Sequence, residues 1–220
     1  MISKRTLNFL VQLKNNNNRD WFQTNKEWYK ESKKDFEAFI SSLISEINQF
    51  SPEIGPIEPK SVIFRIFRDV RFSKDKSPYK TNMGAHVVAG GKKSGNAGYY
   101  FHLEPDGSFL AGGAHMPPPD KLKVLRKEIY ENIDEFLGII KDKSFNQYFG
   151  EIMDEKLVKP PKDFPADFPH IELLKHKGYT VWKPLPDDII TGQYLLKELG
   201  KGFRIMKPFI DFINYSYKVE

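Results

Sequence analysis

Three prolines and a glycine fall within nine residues at Ser51-Pro-Glu-Ile-Gly-Pro-Ile-Glu-Pro59, and no helix continues through such a run. The break divides the chain by periodicity. Ahead of it, Leu7, Leu10, Val11 and Lys14 mark a short helix over 3–14, ended by the connector Asn15–Asn18. Asp20, paired with Gln23 as a cap, then begins one long helix in which Trp21, Trp28, Phe36, Phe39, Ile40, Leu43, Ile47 and Phe50 keep helical spacing. Behind the break the pattern changes to short β-branched and aromatic segments punctuated by glycine, asparagine and aspartate.

Ser61–Phe67 reads as a strand buried on both faces, because Val62, Phe64 and Ile66 share one face while Ile63 and Phe67 share the other with Arg65. Strands over 84–89, 97–104 and 108–113 follow, joined by the loop 90–96 and the Pro105-Asp106-Gly107 turn, and predict an antiparallel meander. Pro117–Pro119 precede a helical run that continues with interruptions through Ile140, and the proline-rich 158–169 wraps the surface. A short helix at 171–175, a strand at 179–183 and a helical C-terminus from about Thr191 complete the chain. Gly200, Gly202 and Pro208 are expected to divide that last helix. No repeat or shift in composition marks a second domain. The expectation is a single α+β domain over 1–220: N-terminal helices at 3–50, a mostly antiparallel sheet-rich core at about 61–113, and a helical and loop part at 119–220.

Hydrophobic residues make up 40% of the chain, enough for a sizeable core, and cysteine is absent, which removes disulfide scaffolds, thiolate zinc sites and cysteine nucleophiles. No signal peptide and no membrane-length apolar run is read, so a cytoplasmic location with no membrane partner is expected. The net charge of +5 is unevenly spread: Lys60–Lys93 holds nine basic and two acidic residues, while the rest sums to −2. Such a field draws phosphates, nucleic acid or acidic metabolites.

Ala89-Gly-Gly-Lys-Lys-Ser-Gly95 resembles a phosphate loop superficially, but the glycine spacing is wrong and the segment joins two strands, so it reads as a hairpin loop. Dinucleotide, nucleophile-elbow and zinc-protease motifs are missing. His86, His102 and His115 lie on or after successive strands, where hydrogen-bonded structure explains them more simply than a metal, and no metal or cofactor is assigned. Tyr99, Tyr100 and Phe101 are read as strand alternation, with Tyr99 and Phe101 on one face and Tyr100 on the other.

One segment stands apart: Arg65-Ile-Phe-Arg-Asp-Val-Arg-Phe-Ser-Lys-Asp-Lys-Ser-Pro-Tyr-Lys80. Arg65, Arg68 and Arg71 converge only if the chain turns near Asp69. Placed inside an apolar strand, Arg65 requires an anionic partner. That partner is either Asp69, Asp75 or another carboxylate, giving a structural network, or an anionic ligand in a bidentate fork. Lys76, Tyr79 and Lys80 add two ammonium groups and a hydroxyl, and Arg126 is a candidate to complete the site.

The run R-x-x-R-D-x-R-F followed by D-K-x-x-Y, here Arg65, Arg68, Asp69, Arg71, Phe72, Asp75, Lys76 and Tyr79, resembles a family of bacterial proteins, also found within some longer fungal chains, the domain of unknown function DUF2461. The likeness extends through Asn18-Arg-Asp-Trp-Phe22, Asn25-Lys26, Gly112–Pro119 with Leu122 and Arg126, and Leu174–Lys177. It implies a single α+β domain of about this size and supplies no reaction and no catalytic residues. The residues therefore point to a pocket for a small phosphate- or carboxylate-bearing ligand, whether or not chemistry follows. The alternatives are a nucleic-acid-binding module on the basic 60–93 surface and a purely structural Arg/Asp network.

Overall fold

The computed structural model describes residues 1–218, and within them the expected α+β domain is present: helices packed on one antiparallel sheet. Ser3 caps α1 (Lys4–Asn15) by accepting from the Thr6 amide at 3.1 Å, which frees Phe9, Leu10 and Leu13 to face the core. The single helix expected from Asp20 is two. Asn18, not Asp20, caps α2 (Arg19–Thr24), and the chain bends at Asn25 before α3 (Lys26–Asn48). The bend has a packing reason. Trp21 and Trp28 both lie within about 6 Å of the Phe9 ring, at 6.0 and 5.7 Å between centroids. On a straight helix, positions seven apart are separated by about 10 Å along the axis.

Ser61–Phe67 is not a two-sided strand. Pro59 occupies the first turn of a one-turn helix, α4 (Pro59–Val62), and beyond it only Ile63 and Phe67 form isolated bridges, to Ala85 and Tyr79. Val62 and Ile66 are buried, while Phe64, Arg65 and Phe67 are exposed. The oily setting expected for Arg65 is therefore absent.

The meander expected over 84–89, 97–104 and 108–113 is present, and the strand expected at 179–183 extends it. β1 (Met83–Val87), β2 (Gly98–Leu103), β3 (Phe109–Ala114) and β4 (Tyr179–Pro184) pair antiparallel in that order. Alternation sends Ala85, Val87, Tyr99, Phe101, Leu110 and Val181 to the covered face. There Phe101 meets Phe36 and Phe39 of α3, and Tyr99 meets Phe203 of α10 (Leu195–Ser216). The opposite face carries His86, Tyr100, His102, Phe109, Ala111, Thr180 and Trp182 in register and has no helix over it.

Between β3 and β4 run α5 (Pro119–Glu131), α6 (Ile133–Ile140), α7 (Lys143–Phe149) and α8 (Ile171–Leu174), with Phe164 and Phe168 of the proline-rich stretch packed on Tyr130. The short α9 (Asp187–Thr191) leads to α10, which is continuous through Gly200, Gly202 and Pro208. Packing overrides local preference here. A Cβ on Gly200 would stand 2.7 Å from a Glu46 oxygen, and one on Gly202 would stand 2.8 Å from Leu110, so both glycines are there to let the helix approach. Burial of side chains such as Phe203, Met206, Phe209 and Ile213 outweighs the roughly 3 kcal/mol an interior proline costs.

Gly113 has φ +122°, and a Cβ there would lie 2.0 Å from the Tyr179 carbonyl oxygen, so Gly113→Ala should lower stability in urea unfolding by about 3 kcal/mol or more. The opposite result is expected at exposed Gly138 in α6, where no atom lies within 4 Å: Gly138→Ala should raise stability by about 0.5–1 kcal/mol.

Candidate functional site

The signature segment folds as a narrow ribbon. Arg68 N donates to Pro78 O at 3.0 Å and Lys80 N to Ile66 O at 2.7 Å, closing residues 69–77 into a loop. Tyr79, buried, anchors it: its ring stacks on Phe22 at 3.9 Å, and the Asn17 side-chain amide both donates to Tyr79 O (2.9 Å) and accepts from Tyr79 N (3.1 Å). The asparagine run read as a mere connector thus supplies a clamp that completes Tyr79's backbone pairing.

The chain does turn near Asp69, yet the arginines do not converge. Arg71 forks onto Asp69, with Nε–Oδ1 at 2.9 Å and Nη2–Oδ2 at 2.7 Å. Arg68 pairs with Asp75 and also donates to Ser77 O at 3.3 Å. Asp75 is further held by the Ser77 hydroxyl and amide, at 2.6 and 2.9 Å, and these bonds together with Arg68 keep its carboxyl down at about 2. Lys76 Nζ donates to Val70 O at 3.0 Å. Arg126 is elsewhere: Nη2 donates to His176 O at 2.8 Å, beside Tyr179, whose side chain points to the face opposite Thr180. Of the residues singled out in the sequence, Arg68, Asp69, Arg71, Asp75 and Lys76 form the loop's internal network, Tyr79 is its anchor, and Arg65 and Lys80 are left facing outward.

Lys80 belongs to a second constellation, on the uncovered sheet face, and Arg65 lies in a hollow next to it. Lys80 Nζ lies 5.4 Å and Lys92 Nζ 5.0 Å from the Phe64 ring centroid, and Lys92 Nζ donates to Ile63 O at 2.7 Å. Among the described residues, no carboxylate comes within 4.0 Å of Arg65, Lys80 or Lys92. Burial and the neighbouring charges of Arg65 and Lys92 pull Lys80 below the usual lysine range, and burial does the same to Lys92. Burial, followed by the Lys92 charge, lowers His86 to about 4 and leaves its imidazole neutral at pH 7.

These groups open onto a cleft of about 570 Å³. Its floor is small, with Gly98, Ala111 and Gly113 side by side across the strands, and its walls carry Tyr100, Phe109 and the turn His115–Pro118. A Cβ on Gly98 would stand 2.8 Å from His86 Nε2, so the glycine leaves room for that ring. Thr180 lines the cleft, and its hydroxyl is buried without a hydrogen-bond partner. Arg65 faces an adjoining hollow of about 280 Å³ that shares Phe64 with the cleft.

Along β2 a polar chain leads away from the cleft. His102 joins the two neighbours on its face, Nε2 hydrogen-bonded to Glu104 Oε2 at 3.1 Å and Nδ1 to the Tyr100 hydroxyl at 3.0 Å. Thr81 Oγ1 donates to the other Glu104 oxygen at 3.2 Å. Burial and Glu104 push Tyr100 up to about 12, so it stays protonated. Among the described residues no group of three or more His, Asp or Glu side chains is arranged to hold a metal, and no helix is long and apolar enough to cross a membrane.

The family model of the conserved hypothetical proteins DUF2461 matches residues 5–212. The chain belongs to this family. No curated protein and no solved structure matches it. Within the DUF2461 chain, sequence reasoning missed Phe64, Lys92 and Thr180 as cleft residues. Lys92 lies in a loop that looked like a hairpin and nothing more, and its fold-back onto Ile63 has no local signal. The Tyr100–His102–Glu104 line was within reach, because i, i+2, i+4 positions of one strand share a face.

His86 should titrate in NMR spectra with a midpoint near 4, moving upward in Lys92→Gln as the like charge is removed. Its folded-state pKa is depressed from 6.5, so the unfolded chain takes up this proton first. The stability His86 contributes is complete above about pH 6.5 and is lost as the pH falls to about 4.

Proposed function

We propose that the uncovered sheet face binds a small amphipathic anion, its phosphate or carboxylate between Lys80 and Lys92 and its flat apolar body on the Gly98–Ala111–Gly113 floor against Tyr100 and Phe109. One observation carries this reading: two partly buried ammonium groups gathered over one ring with no carboxylate in reach. Holding like charges together costs free energy, and an anion in the cleft relieves it. Arg65 adds to the field from the adjoining hollow. The cleft's volume and its mixture of aromatic walls with a few polar groups suit a ligand of metabolite size. The unpartnered Thr180 hydroxyl offers a hydrogen bond to the body of the ligand.

Phenyl phosphate joins both features in one probe. At 10 mM and a dissociation constant of about 1 mM it should stabilise the protein by about 1.4 kcal/mol, a rise in Tm of roughly 3–6 °C, with inorganic phosphate giving less and phenol almost none. Lys80→Ala combined with Lys92→Ala should abolish the shift, and Arg71→Ala should leave it intact. Equal shifts in the wild type and the double variant would refute the reading.

A further inference from the structure

The tip of the ribbon presents a feature the cleft does not use. Phe72 is 96% exposed and Phe67, on the same ribbon, is 50% exposed, whereas Phe64 before them belongs to the cleft. Looseness does not account for Phe72. The loop around it is closed by the Arg68–Asp75 and Arg71–Asp69 pairs, by both Ser77–Asp75 bonds and by Lys76 on Val70 O. The two acids of residues 65–80 are consumed in these contacts, whereas the segment holds six basic residues. The ribbon accordingly interleaves positive charge with aromatic faces along the chain: exposed Lys74 and Lys76 follow Phe72 in sequence, Arg71 lies 5.8 Å from its ring, and Lys80 lies 5.4 Å from the Phe64 ring.

We propose that the 66–80 ribbon docks single-stranded nucleic acid, with Phe72 stacking on an unpaired base and Lys74, Lys76 and Lys80 meeting the phosphates. The charge is complementary to a polyanion, and rings separated by cationic residues match the alternation of base and phosphate along a strand. A duplex hides its base faces from such rings. An anionic bilayer matches the arrangement less well, because it takes up a continuous apolar surface, whereas here Arg68, Asp69 and Arg71 separate Phe67 from Phe72 and would be carried into the interface with them.

The test uses the full chain and a labelled twelve-nucleotide oligothymidylate, followed by fluorescence anisotropy at 50 and 200 mM salt. Three phosphate contacts on a single strand give a slope near −2, so affinity should fall about twentyfold between these salts. Phe72→Ala should weaken binding at least about fivefold at either salt while leaving the urea unfolding curve unchanged, and Lys74→Gln should flatten the salt dependence. A duplex of the same length should bind more weakly. The proposal is overturned if Phe72→Ala binds as tightly as the wild type. It is equally overturned if the oligonucleotide fails to bind, including the case in which the chain binds phosphatidylserine vesicles instead. Lys80 is shared with the cleft, but Phe72 and Lys74 lie outside it, so failure of phenyl phosphate to stabilise the protein leaves the Phe72→Ala and Lys74→Gln outcomes unaffected.

Discussion

Everything in the candidate site depends on the register of β2. Its residues alternate between two environments: Tyr99 and Phe101 enter the packing of α3 and α10, and Tyr100, His102 and Glu104 enter the open face. A slip of one residue would exchange the two sets, driving an imidazole and a carboxylate into the core and leaving two large rings outside. The register is held by close approaches that only glycine permits, at Gly84 under the Tyr100 phenol and at Gly112 under Met206, where a Cβ would stand 2.4 and 2.2 Å from the nearest atom. On the uncovered face, Gly98 and Gly113 keep the floor shallow enough to leave a cleft.

The balance of charge explains why Arg68 and Arg71 are neutralised within the loop while Arg65, Lys80 and Lys92 are not. Arg68 and Arg71 are forked, planar cations with carboxylates a few residues away, so the loop satisfies them locally. Lys80 and Lys92 lie twelve residues apart and are brought together by the edge of the sheet, with no acid between them. Within 68–77 the Arg and Asp side chains pair with one another. This pairing leaves out Arg65 and Lys80.

What was legible followed from local rules. Alternation and turn residues gave the meander, and helical spacing gave the helices on either side of it. The misreadings each have a tertiary cause. Ser61–Phe67 has the composition of a buried strand, but Pro59 starts a helical turn and the chain then runs along the sheet's edge, which is why Arg65 is exposed. Gly200 and Gly202 look like breakers, yet they sit where α10 presses on Glu46, Leu110 and Tyr148, and exposed Pro208 is carried within a helix held by its buried neighbours. Arg126 looked available to the anion site, but its position on α5 commits it to the His176 carbonyl. The pairing of Lys80 with Lys92 had no signature at all, since nothing within a few residues of either depends on the other.

The Asn17–Tyr79 clamp joins positions 62 residues apart and is, with the Phe22 stack, what fixes the ribbon to the N-terminal helices. During synthesis the anchoring asparagine is made well before its tyrosine, so a docking post is already waiting when the ribbon is added. The same linkage makes the first two helices mechanical parts of the uncovered sheet face: any loss or displacement of residues 17–22 releases Tyr79, and with it the adjacent lysine, from a distance no inspection of the cleft would suggest.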